Sequence, residues 1–198
     1  MNKLFGFLTL AILVGFAFTN IADVVSYNVD VDNSNVSWKA YKVTGEHDGY
    51  VNLKEGFLQM TDGQLTGGQF VLDMTSITVT DLSGDMKGKL EGHLKSADFF
   101  GVENHNEARF VITKVIPQGP MYKVEGIATI KNIEKPIEFK TKVTEEGDKI
   151  IATSEFQLDR SDFDVRYGSG SFFDNLGDKT IYDDFDLTVS LTAEKAAN

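Results

Sequence analysis

The sequence predicts an all-β fold of antiparallel strands with one short helix inserted. Three observations point that way. Apolar residues alternate with polar ones through several separate segments, glycine-bearing turn sequences fall between them, and a single apolar stripe of helical spacing interrupts the series. Strict alternation gives a strand one buried face and one wet face, as in antiparallel sheets, whereas buried parallel strands would be apolar throughout.

The segment before the first strand differs from the rest. Lys3 supplies a positive start, and Leu4 to Phe18 then runs about 15 residues without a charge. That length is short for a membrane span and suits the core of a secretion signal. Ala17 and Thr19 place small residues before a cut ahead of Asn20. Residues 1–22 are therefore expected to be a cleaved signal peptide and 23–198 one mature domain. About 175 residues fit one domain better than two and bury a core without staples. No later apolar run is long enough to span a bilayer, so the mature protein is expected in the periplasm or secreted, with no stable membrane insertion.

Along the mature chain, Val36, Trp38 and Ala40 open the alternation. Phe70, Leu72 and Met74 continue it, then Ala108, Phe110 and Ile112. A longer run follows from Tyr122 through Val124, Gly126 and Ala128 to Ile130, and the cleanest is Ile137, Phe139, Thr141 and Val143. Ala152, Ser154, Phe156 and Leu158 come next, and Phe185, Leu187, Val189 and Leu191 complete the set. Turns are expected at Asp62-Gly63, Gly67-Gly68, Gly119-Pro120 and Gly147-Asp148. Leu82, Met86, Leu90 and Leu94 recur every fourth residue, which predicts a helix from about Leu82 to Leu94. One helix among strands argues for a helix-capped barrel or sandwich rather than βαβ units.

Composition removes several functions. The chain has no cysteine, which excludes disulfides, thiolate metal sites and thiol nucleophiles. A formal charge of −11 repels phosphate backbones and argues against nucleic-acid binding and against anionic lipid surfaces. His47, His93 and His105 form no metal-binding spacing; His47 is expected in a turn between strands, and no metal or other cofactor is expected. Gly168-Ser169-Gly170-Ser171 lacks the lysine of a phosphate loop, and no G-x-S-x-G elbow is present. The carboxylates of Asp162, Asp164, Asp183 and Asp184 read as solvated charge.

The aromatic residues are more informative. Phe70, Phe110, Phe139 and Phe156 share the inward phase of separate strands, Phe99-Phe100 follow the helix, and Phe172-Phe173 lie in a glycine-rich loop. A closed sheet of about eight strands leaves an interior that side chains fill or that holds one small ligand; the pattern leaves both open.

Ordered blocks along the chain resemble the YceI-like family of exported bacterial proteins. The strongest runs from Gly92 through Ser96, Asp98, Phe99 and Phe100 to Glu103. Others are Ala108 to Thr113, Gly126 to Ile137, Leu158 to Phe163, and Tyr167 to Ser169, with Val36 to Trp38 and Val43 to Gly49 near the start. The resemblance covers about Val29 to Leu191. It departs from the family at Gly101 and at Asn104-His105-Asn106-Glu107, near the expected barrel mouth.

The resemblance implies an extended lipocalin-like eight-stranded antiparallel barrel. It also implies a binding or carrier role for a long-chain isoprenoid, an isoprenoid quinone or a fatty-acid-like lipid, with no catalysis. An enzyme acting on such a lipid, or a ligand-free secreted protein, are the alternatives, and a homodimer stays open. Inward phase selects Trp38, Phe70, Leu72, Met74, Phe110, Ile130, Phe139 and Phe156 to line the ligand. Phe99, Phe100, Phe163 and Phe172 are placed nearer an opening, with Arg160 and Arg166 as head-group contacts.

Overall fold

A computed structural model describes residues 23–196. The expected signal segment and its cleavage site lie outside these residues. The strands are β1 (Val24–Val29), β2 (Asn35–Lys42), β3 (Gly45–Thr61), β4 (Gln64–Val79), β5 (Glu107–Gln118), β6 (Met121–Ile130), β7 (Ile133–Glu146), β8 (Lys149–Asp159) and β9 (Ile181–Lys195), with one helix, α1 (Gly84–Lys95), between β4 and β5. Every pairing is antiparallel. The sheet runs β3-β2-β9-β8-β7-β6-β5-β4 and closes where β4 pairs with β3. This is an eight-stranded closed antiparallel barrel with one helix.

The ninth strand explains itself by register. β1 pairs with the far part of β3, from Phe57 to Thr61, and with the end of β9, from Ala193 to Lys195. β2 pairs with the near part of β3, from Gly45 to Val51, and with Ile181 to Ser190 of β9. β1 and β2 therefore lie end to end in one wall position, interrupted by the Asp30–Ser34 turn.

Turn chemistry sets several hairpins. Asp62 and Gly63 both have positive φ, at 50° and 74°, which gives the β3–β4 hairpin the twist its strands need. The β6–β7 hairpin turns through Lys131 and Asn132 at φ 53° and 61° without any glycine, which is why the sequence carried no signal for it. Gly67-Gly68, expected to be a connection, lies inside β4. A Cβ on Gly68 would come 2.7 Å from the Phe57 carbonyl oxygen, so the glycine serves close strand approach rather than a turn. His47 likewise lies within β3, because the β2–β3 hairpin turns earlier, at Val43-Thr44.

The helix starts two residues later than expected. Leu82 precedes it, Met86 is 60% exposed, and only Leu94 is fully buried on it. The stripe is thus only partly a packing face. A polar strap does the rest: Glu91 Oε1 accepts from Thr78 Oγ1 at 2.7 Å and from the Val79 backbone N–H at 2.9 Å. These bonds hold the Glu91 carboxyl below its usual range and fix α1 to the end of β4.

Candidate functional site: the barrel cavity

The alternating residues of eight wall positions converge on one interior cavity of about 210 Å³, lined almost wholly by apolar atoms. Its middle is aromatic. Phe139 of β7 and Phe156 of β8 stack face to face, with ring centroids 4.3 Å apart and planes 9° from parallel. Phe110 of β5 lies tilted against Phe139 at 5.3 Å. Glycines across the sheet make room for such rings: a Cβ on Gly126 would lie 2.4 Å from the Phe110 ring, and one on Gly56 would lie 2.8 Å from Phe70. The two faces of this cavity wall are thus matched, a large ring on one strand over a bare backbone on its neighbour.

One end of the barrel carries α1 and the segments that follow β4 and β8. Leu94, Phe99 and Phe100 face the cavity there. Phe99 is buried, edge-on to His93 at 5.7 Å and to Phe100 at 5.3 Å. The other end is filled by Met60, Ile150 and Ala193, the last two without exposed surface.

Arg160, at the end of β8, borders the cavity beneath α1 and is 4% exposed. Its Nε donates to the Tyr182 carbonyl at 3.1 Å, its Nη1 to Val165 at 2.9 Å and its Nη2 to Ile181 at 3.0 Å. Nη2 also stands 3.1 Å from Asp183 Oδ1, an ion pair without the alignment of a hydrogen bond. The guanidinium carbon sits 5.4 Å from the Phe99 ring centroid. Burial lowers the Arg160 pKa while Asp183 and Asp159 act against that shift. Asp183 Oδ2 accepts from Ser169 Oγ at 2.9 Å and Ser171 Oγ at 2.7 Å. The network therefore ties the Arg166–Thr180 loop to the barrel.

Two polar side chains lie inside the cavity itself. Thr141 of β7 and Ser154 of β8 are cross-strand partners, 4% and 8% exposed, and both line the cavity. They stand one inward step beyond the Phe139–Phe156 stack, toward the Ile150–Ala193 end.

The chain thus combines a closed eight-position barrel, a helix over one end and an apolar core cavity. The YceI-like domain matches residues 27–193. The chain belongs to the YceI-like family.

Among curated relatives, this YceI-like chain is 31% identical over 77 residues to a UPF0312 protein of Pectobacterium atrosepticum, covering 38% of the chain and 40% of that relative's length. It is 26% identical over 145 residues to Protein YceI of Escherichia coli O157:H7, covering 69% of the chain and 74% of the relative. Among solved structures, BcnA of Burkholderia cenocepacia superposes with a TM-score of 0.65 at 22% identity, over 83% of the chain and 99% of BcnA. A polyisoprenoid binding domain from Saccharophagus degradans gives a TM-score of 0.64 at 11% identity, over 87% and 99%. At those identities the likeness to both structures is one of fold.

The YceI-like barrel brings most of the residues selected from sequence to one place. Trp38, Phe70, Leu72, Met74, Phe110, Ile130, Phe139 and Phe156 all line the cavity, and so do Phe99, Phe100 and Arg160. Three others do not. Phe163 is 1% exposed and packs outside the cavity lining. Phe172 is 39% exposed on the loop, with the Arg166 guanidinium 4.9 Å from its ring centroid. Arg166 is further held by the Asp164 carboxylate. The reason is one of period: inward phase is fixed along a strand, while loop residues have no phase.

The three histidines lie in different surroundings. His47 Nδ1 is 2.7 Å from Asp81 Oδ2. The His93 ring stands edge-on to Tyr167 at 4.3 Å. His105 Nδ1 is buried without a hydrogen-bond partner among the described residues. Among those residues no three His, Asp or Glu side chains gather as a metal site. Thr141 and Ser154 are among the cavity residues not expected from sequence to line a ligand, and they are its two neutral hydroxyls. Their signal was present, two residues from Phe139 and Phe156 in the same phase, but an apolar filter passed over them.

Proposed function

We propose that this chain is an exported lipid-binding protein that holds a long, isoprenoid-like chain in the barrel interior and carries it without chemically changing it. The observation that carries this reading is the cavity, whose walls are almost wholly apolar and whose middle holds three contacting phenylalanine rings. A polyprenyl chain offers no hydrogen bonds along its length, so a dry aromatic interior suits it. Burial of apolar surface is worth about 25 cal/mol per Å², which lets several hundred Å² bind firmly even after association costs. The Saccharophagus degradans neighbour, described as a polyisoprenoid binding domain, supports the same ligand class. The charge-free run from Leu4 to Phe18 supports export to the periplasm or beyond.

Native mass spectrometry of the exported protein tests the reading. A bound mass that organic solvent removes is expected, and the bound mass should vanish in a Phe139→Glu variant that still gives a β-sheet circular dichroism spectrum. A folded Phe139→Glu protein carrying the same lipid at the same occupancy would place the ligand outside the barrel and overturn the proposal.

A further inference from the structure

Thr141 and Ser154 are an anomaly in their setting. An unpaired hydroxyl in apolar surroundings is unfavourable, and buried polar groups normally find partners. Thr141 has one: its Oγ1 donates to the Thr153 carbonyl at 3.1 Å, which leaves the oxygen lone pairs free to accept. Ser154 Oγ makes no hydrogen bond to any described residue, although the side chain is 92% buried by its 8% exposure and lines the cavity. The two residues face each other directly across β7 and β8, where opposed Cβ atoms stand about 5 Å apart. One acceptor and one donor therefore sit side by side on a wall otherwise made of hydrocarbon.

We propose that Thr141 and Ser154 form a hydrogen-bonding station for the uncharged hydroxyl end of an elongated lipid, seated beyond the Phe139–Phe156 stack. The inference rests on the lipid-binding reading above and adds the head-group class to it. A hydroxyl is the complement of this pair, since it donates to Thr141 and accepts from Ser154. An anionic head group is disfavoured there, because a charge moved into an apolar interior needs a compensating partner. Two arginines border the cavity, and both already face carboxylates: Arg160 donates from Nε, Nη1 and Nη2 to the carbonyls of Tyr182, Val165 and Ile181 with its charge against Asp183, and the half-exposed Arg109 pairs with Glu107 at 2.6 Å.

The test is competition against the neutral fluorophore N-phenyl-1-naphthylamine, using the mature protein stripped of lipid by organic solvent. Three competitors are compared: geranylgeraniol, the hydrocarbon lacking its hydroxyl, and geranylgeranyl phosphate. Geranylgeraniol is expected to bind about 3–10-fold more tightly than the hydrocarbon, the range of one or two net hydrogen bonds. Ser154→Ala should erase that difference, and Thr141→Val should reduce it. Ser154→Ala removes an unpartnered hydroxyl, so its unfolding temperature should equal or exceed that of the parent protein, which keeps the variant usable. Equal discrimination in the parent and Ser154→Ala proteins overturns the station. Phosphate binding as tightly as the alcohol overturns the neutral-head assignment. Failure of all three competitors, the hydrocarbon included, overturns the lipid-binding reading itself and is distinguishable from the other two outcomes.

Discussion

Arg160 shows how a single residue's role depends on its partners. Next to an apolar cavity, an arginine suggests a head-group contact, yet three carbonyls and Asp183 surround its guanidinium. Those contacts join the end of β8, the start of β9 and the Val165 backbone. Removing the guanidinium leaves Asp183 without its counter-charge and three carbonyls without donors. Arg160→Ala is therefore expected to destabilise the protein by about 3–5 kcal/mol. Arg160→Lys should recover little, since an ammonium cannot reproduce the planar fork of donors. Urea unfolding of the two variants checks this, and a lysine variant as stable as the parent would show that charge, rather than geometry, is what the site needs.

At the scale of elements, α1 is held to the barrel as much by Glu91 as by hydrophobic packing. Its stripe is incomplete, with Met86 in solvent, while Glu91 receives both Thr78 and the Val79 amide. The folded carboxyl titrates below its ordinary value of 4.5, so between those two values the unfolded form binds more protons than the folded one. The strap is fully present above about pH 4.5 and is lost as pH falls through the lower folded value. Acidification should thus loosen α1 before the barrel. Hydrogen exchange of the Val79 amide is expected to accelerate below pH 4.5 in the parent protein, and to be fast and pH-insensitive in Glu91→Ala beyond the intrinsic exchange trend. An amide equally protected in both proteins at neutral pH would rule the strap out.

The whole molecule depends on pairings between segments far apart in the sequence. β2, near the start of the described chain, pairs with β9 near its end, and Trp38 sits at that seam opposite Leu187 on one side and Gly49 on the other. Such non-local pairing must meet its loop-closure entropy before contacts compensate, which places refolding in the millisecond-to-second range typical of barrels of this kind. Trp38 is the single tryptophan, so its fluorescence reports closure directly. In stopped-flow refolding the tryptophan signal is expected to develop no earlier than the far-ultraviolet circular dichroism signal of the sheet. A tryptophan change completed in microseconds would mean that the seam forms before the wall.

Alternation by itself determined the strand class and which side of each strand faces inward, because side chains on a strand have period two whatever the neighbours are. That is why Phe70, Phe110, Phe139 and Phe156 were legible as cavity residues from sequence, and why the ordered blocks from Gly92 to Ser169 pointed to the family. Residues off the strands carried no such constraint, so Phe163, Arg166 and Phe172 were placed only by the folded loop. The Lys131-Asn132 turn has no glycine to announce it, and Gly67-Gly68 announces a turn where the glycines instead admit a neighbouring strand. Tertiary structure alone decided that Arg160 donates to three backbone carbonyls, that Glu91 straps the helix, and that Thr141 and Ser154 meet inside the cavity. Each of these depends on which atoms of distant segments lie within hydrogen-bond reach, and a periodic pattern along one strand holds no information about the distance to another.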